Sequence, residues 1–216
     1  MGINIQKLAR RQLRDFRLIN PGTCFENKTF FISNEKAYAL QDEVTKLRVR
    51  DGEKVAGYKV GCTGPGTTKL FGMDGPIRGT LFDREILPDN AYLDPHLFCN
   101  LAVEAEMAMF LGENKEIESV FPIIELHNFV FKASKKSLSE LIANNGLNRG
   151  LVLSEKSWQR KPEDYDETHS LSLEINGCII DEGNLWPMLG GPSSSLEWLS
   201  EHLRKYDQEL LPGNIV

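Results

Sequence analysis

The stretch LAVEAEMAMFLG, Leu101 to Gly112, reads as a β-strand that carries two carboxylates in an otherwise apolar run. Successive side chains of a strand point to opposite faces, so Leu101, Val103, Ala105, Met107, Met109 and Leu111 form one apolar face. The other face reads Ala102, Glu104, Glu106, Ala108 and Phe110. A helix would set the two glutamates about 200° apart, because residues i and i+2 do not share a helical face. As a strand, the segment puts both on one side, between small residues. Two ionised carboxylates in a partly buried place repel and lose hydration, so a cation, a shared proton or open water must compensate. From this segment alone, the wet polar face of an antiparallel strand weighs as much as a metal site.

A third carboxylate interrupts FPIIELHNF, Phe121 to Phe129, where Ile123, Glu125 and His127 share a strand face. Taken singly, Glu125 reads as a salt-bridged strand residue. Three carboxylates from two adjacent strands would supply half an octahedron of hard oxygen ligands, which suits Mg²⁺ or Mn²⁺ better than zinc. His127 shares the face of Glu125 and is read as a substrate-binding candidate. In GYKVGCT, Lys59 lies between Gly57 and Gly61 on one face, and glycines beside a lysine clear space for a ligand to approach it. Facing three carboxylates, that lysine would stay charged and could bind an anion or relay a proton.

The 216 residues suffice for one good core, and 41% hydrophobic with 26% charged residues is ordinary for a globular chain. A net charge of −6, with no face showing an obvious surplus of Lys and Arg, argues against nucleic-acid and anionic-membrane partners. No apolar run approaches the ~20 residues of a membrane span. The N-terminus lacks the apolar core of a signal peptide. Cys24, Cys62, Cys99 and Cys178 form no CxxC pair, so reduced thiols in a cytoplasmic protein are expected. GCTGPGTTK imitates a phosphate loop, but Thr67 stands where that motif needs its lysine. His96, His169 and His202 have no partners at catalytic spacing and are expected at the surface.

Along the chain, Ile5, Leu8, Leu13 and Phe16 fall near helical spacing and predict a docked surface helix. A second helix is predicted over NEKAYALQDEVTKLRV after a cap at Ser33, stopping near Asp51-Gly52. From there short strands dominate, and Asn176-Gly177 between apolar runs predicts a tight hairpin. Two more helices interrupt the strands: SLSELIAN, ending at Gly146, and SSSLEWLSEHLRKY, with Ser194 and Glu197 spaced as a capping box. The fold class is therefore α+β, a single domain behind an N-terminal helical segment. LLPGNIV, Leu210 to Val216, looks like a turn followed by the first residues of a strand, as though a C-terminal piece were missing.

Taken in order, AYALQ, GYKVGCT, DGPIRGTLF, VEAEMA, PIIELHN, IANNG, INGCIIDEG and LGGPSSSLEWL resemble the fumarylacetoacetate hydrolase superfamily. The resemblance is to its branch of 2-keto-4-pentenoate hydratases and 2-oxo acid decarboxylases. It covers nearly the whole chain from about residue 20. It implies a mixed β-roll or barrel, with residues 1–50 as a helical segment and residues 51–216 as a catalytic domain lacking its C-terminal strands. It implies Mg²⁺ or Mn²⁺ on Glu104, Glu106 and Glu125, Lys59 and Asp74 as catalytic residues, and Gly79, Thr80 and Leu81 lining the substrate pocket. The ion would chelate the carboxylate and keto oxygen of a small 2-oxo acid and stabilise its enolate. Hydration of a 2-hydroxydienoate is the first expectation. Decarboxylation, acylpyruvate hydrolysis or a catalytically impaired scaffold are the alternatives. A homo-oligomer is also implied. Two departures stand out: Val130 occupies a position at which typical hydratases carry an arginine, and Asn214 stands where the family has aspartate.

Overall fold

A computed structural model describes residues 3–73, 75–165 and 169–216. Its α+β character matches the sequence expectation. α1 (Ile5–Arg17) begins where Asn4 accepts a hydrogen bond from the backbone N–H of Lys7, and α2 (Asn34–Arg50) where Ser33 does the same for Lys36. These caps satisfy amides that have no partner inside the helix. The two helices pack together, and Ala9, Cys24, Phe25, Ile32, Ala37, Leu40 and Ile142 form a common core with α4 (Leu138–Ala143).

Strands β1 (Val55–Gly61) and β2 (Ile77–Phe82) pair antiparallel, with Lys59 opposite Gly79. Between them runs the short helix α3 (Pro65–Phe71). β3 (Ile86–Leu87), β4 (Leu101–Leu111), β5 (Ile117–Asn128) and β6 (Asn148–Leu153) form a sheet in the order β3-β6-β5-β4. α2 docks on β2 through a fully buried Arg78, whose guanidinium donates to Asp42 at 2.8 and 2.9 Å and to Gln41 at 2.8 Å. A buried charge without such partners would be costly.

β7 (Ser170–Ile175) and β8 (Cys178–Asn184) form the hairpin expected at Asn176-Gly177, both of which adopt positive φ as a primed turn demands. α5 (Gly191–Arg204) starts three residues before Ser194: Gly190, at φ 88°, is its N-cap and Pro192 lies in its first turn. Ser194 is thus inside the helix, and the capping box is not what begins it. The C-terminal segment lies between β1 and β4. Tyr58 N–H donates to the Ile215 carbonyl, Ile215 N–H to Ala56, and Met109 and Val216 exchange both backbone bonds. Leu199 and Leu203 of α5 close a second core over Tyr58, Leu111 and Leu210.

Candidate functional site

β4 and β5 are in a register that sets Glu104 opposite Glu125 and Ala102 opposite His127. Directly opposed residues share a sheet face, so both glutamates and the imidazole leave the sheet on one side. Lys59 reaches this face from β1. Its Nζ lies 2.6 Å from each carboxylate oxygen of Glu125 and 3.0 Å from His127 Nε2. Glu125 is buried and is held on its far side by Asn148 of β6, whose Nδ2 donates to Oε1 at 2.7 Å. Asn148 in turn accepts from the Gly150 N–H at 3.1 Å, which fixes its amide.

The three carboxylates have different surroundings. The Glu104 side chain is 57% exposed, with Oε1 at 3.5 Å from His127 Nδ1. Burial opposes ionisation of Glu125, but the Lys59 ammonium and the His127 hydrogen bond outweigh it and hold the carboxyl down at about 2. Glu106 is half-buried; burial, and then the Glu125 charge beside it, push its carboxyl well above the usual range. Burial disfavours the charged form of Lys59, yet Glu125 and Glu106 raise it above the ordinary lysine value. A single ammonium thus leaves the carboxylates short of positive charge. Donor atoms of Glu104, Glu125 and His127 lie within 4.8 Å of one another. This donor set fits a small divalent cation, which would supply the missing charge.

Of the other expected residues, Gly79 packs beside Lys59: a Cβ there would meet Lys59 Cγ at 3.0 Å and the Asn145 carbonyl at 2.7 Å. A Cβ on Gly61 would meet Lys59 Cε at 2.9 Å, and one on Gly57 the Ile215 carbonyl at 1.8 Å. These glycines therefore make room for the lysine stem and the C-terminal segment, and Gly61 also borders the cleft on the His127 side. Leu81 lines the cleft on one side of Lys59, together with Tyr58, Met107, Met109 and Trp186. Thr80 faces the other way: its backbone pairs with the Asn145 amide at 2.7 and 2.8 Å and its hydroxyl lies 3.4 Å from that of Thr45. Asp74 lies outside the described residues.

A second cleft meets the site from the His127 side, walled by Leu70, Phe71, Phe129 and Phe131. Lys136 lies over the rings of Phe129 and Phe131, at 4.8 and 5.5 Å from their centroids. Val130 turns to the opposite side of the chain, into the helical core, so the missing arginine does not border this cleft. Asn148, Trp186 and the phenylalanine wall escaped the sequence reading. The i, i+2 spacing of His127, Phe129 and Phe131 was the available signal for that wall. Asn148 and Trp186 gave none, since only the fold brings them near. His202, expected at the surface, is instead stacked between Trp198 and Tyr206, because α5 lays it against Tyr38 of α2.

No family model matches the chain. The chain is 26% identical over 204 residues to 2-oxo-hept-4-ene-1,7-dioate hydratase of Escherichia coli, covering 86% of this chain and 76% of that one. It is 26% identical over 198 residues to 2-keto-4-pentenoate hydratase of Burkholderia vietnamiensis, with 83% and 73% covered. The structure of 4-oxalocrotonate decarboxylase from Pseudomonas putida G7, complexed with magnesium and adipate, superposes with a TM-score of 0.89 at 20% identity, over 99% of this chain and 87% of that one. The chain is a homologue of these hydratases and decarboxylases. They represent the branch of the fumarylacetoacetate hydrolase superfamily that the ordered motifs resemble, and the fold of the decarboxylase is the fold seen here. Among the described residues, no helix is long and apolar enough to cross a membrane.

Proposed function

We propose that this homologue is a metal-dependent lyase acting on a small 2-oxo acid, with hydration of a 2-hydroxydienoate as its reaction. The observation that carries this reading is the gathering of Lys59, Glu104, Glu125 and His127 from β1, β4 and β5 onto one face. Glu104, Glu106 and Glu125 are the carboxylates that would hold Mg²⁺ or Mn²⁺, which when bound supplies a Lewis acid for the 2-oxo carboxylate head. Lys59, kept charged by Glu125 and Glu106, neutralises an anionic group or moves a proton at Nζ. Asn148 fixes the Glu125 carboxylate, and Gly79 leaves the lysine stem its path. Leu81 and the phenylalanine wall exclude water from the carbon chain of the substrate. Asp74 keeps its proposed catalytic role on the strength of the family resemblance. The mixed roll, the cytoplasmic location and the homo-oligomer belong to the same reading. Ile215, bonded to β1 while its neighbours Asn214 and Val216 are bonded to β4, supports the roll.

Decarboxylation is the second reading, favoured by the likeness in fold to the decarboxylase. It uses the same enolate. Calorimetry with Mg²⁺ and oxalate, which mimics the enolate of a 2-oxo acid, is expected to show metal-dependent binding. Glu106→Gln should abolish Mg²⁺-dependent turnover of a panel of 2-hydroxydienoates, oxaloacetate and acylpyruvates. Absence of metal binding would favour a scaffold instead, and unchanged turnover in the variant would remove Glu106 from the site.

A further inference from the structure

β5 presents Glu125 and His127 two positions apart, so both side chains leave one face of the strand. The imidazole is 7% exposed, and both of its nitrogens are turned to the acidic site: Nε2 lies 2.8 Å from Glu125 Oε2 and 3.0 Å from Lys59 Nζ, and Nδ1 lies 3.5 Å from Glu104 Oε1. An ammonium group can only donate, so in the tautomer that keeps its proton on Nδ1, toward Glu104, Nε2 meets Lys59 through a lone pair and gives up its hydrogen bond to Glu125. That lone pair is aimed at a place already approached by carboxylate oxygen. Two donors that bind one octahedral ion side by side, each at about 2.1 Å, are about 3 Å apart. His127 Nε2 and Glu125 Oε2 have that spacing. The histidine that was read from the sequence as a substrate contact is therefore better placed to hold the ion.

We propose that His127 is a nitrogen ligand of the divalent ion, making this a mixed carboxylate–imidazole centre that selects transition ions such as Co²⁺ over Mg²⁺. The inference rests on the reading above that the site holds a divalent ion. An imidazole donor favours the later first-row ions, whereas Mg²⁺ gains little by exchanging an oxygen ligand for nitrogen.

The test uses the full chain and the metal alone. Electron spin echo spectroscopy of the Mn²⁺-loaded protein is expected to show a nitrogen coupling, which changes to that of ¹⁵N when histidine is labelled and disappears in His127→Gln. Calorimetry is expected to give Co²⁺ an affinity at least about tenfold above that of Mg²⁺. His127→Gln should weaken Co²⁺ by about tenfold or more and leave Mg²⁺ within about twofold. Mn²⁺ binding without a histidine coupling overturns the proposal while the divalent-ion reading stands. Failure of every ion to bind the wild-type chain overturns both. An equal loss of all ions in the variant makes His127 a positioning residue and also overturns it. The labelled wild-type spectrum decides the matter even if the variant does not fold.

Discussion

Lys59 competes with any cation that the site attracts, because its ammonium touches both oxygens of Glu125 and one nitrogen of His127. Its removal should have opposite effects on two measurements. Lys59→Met leaves the Glu125 carboxylate buried without its counter-charge, and breaking such a pair costs about 3 kcal/mol. The metal-free variant should therefore melt well below the wild type. The same loss of positive charge should let Mg²⁺ bind about tenfold more tightly, since like charge no longer opposes it. Added Mg²⁺ should then restore much of the lost melting temperature, while turnover stays absent. Titration calorimetry and thermal melts of the two proteins check this. Weaker Mg²⁺ binding by the variant would show that the lysine assists the ion instead of opposing it.

Within α5, His202 gives the element a dependence on pH that is separate from the site. Its ring lies 4.6 Å from that of Tyr38 and stacks on Trp198 and Tyr206 at 4.9 and 5.2 Å. Burial, followed by the nearby Arg78 charge, holds its pKa down to about 4. A base whose folded value is depressed binds its proton first in the unfolded chain. Stability is then complete at neutral pH and is lost as the pH falls through 6.5 toward about 4. For a half-wet ring the loss is on the order of 1–2 kcal/mol. His202→Phe should remove that part of the acid limb of the melting curve. An identical pH profile in the two proteins would count against the packing argument. This histidine was expected at the surface because Tyr38 comes from α2 and local spacing cannot report a contact between helices, although Trp198 and Tyr206, four residues before and after it, lay within reach of the helical period. Local signals did better where the chemistry is local. Ser33 caps α2 as expected, and Asn176-Gly177 makes its hairpin. At α5 the rival start, Gly190 in a left-handed conformation followed by Pro192, outcompeted the Ser194 box.

At the scale of the molecule, the site is assembled only because β1, which brings Lys59, is fastened to β4, which brings Glu104 and Glu106. The fastening is the backbone of Ile215, bonded to Ala56 and Tyr58 on one side, with its neighbours Asn214 and Val216 bonded to β4 on the other. The carboxylate trio and the lysine were legible one strand at a time, through the alternation of side chains. This coupling was not, since LLPGNIV shows a strand beginning without naming its neighbours. Gly57 is where the coupling can be tested. A methyl group there would sit 1.8 Å from the Ile215 carbonyl oxygen, and its nearest neighbours are all backbone atoms of Ile215, none of them the end of a flexible side chain. Gly57→Ala should push the C-terminal segment off β1 and cost about 3 kcal/mol. Because Lys59 is only two residues away on the same strand, the shift should also move its ammonium from Glu125 and change Mg²⁺ affinity. Gly52→Ala offers the control, since nothing lies within 4 Å of a Cβ at that position and its left-handed conformation carries only a local cost. Melting together with Mg²⁺ titration of the two variants separates the effects. If Gly57→Ala lowers stability no more than Gly52→Ala and leaves Mg²⁺ affinity unchanged, β1 does not depend on Ile215 to position its lysine.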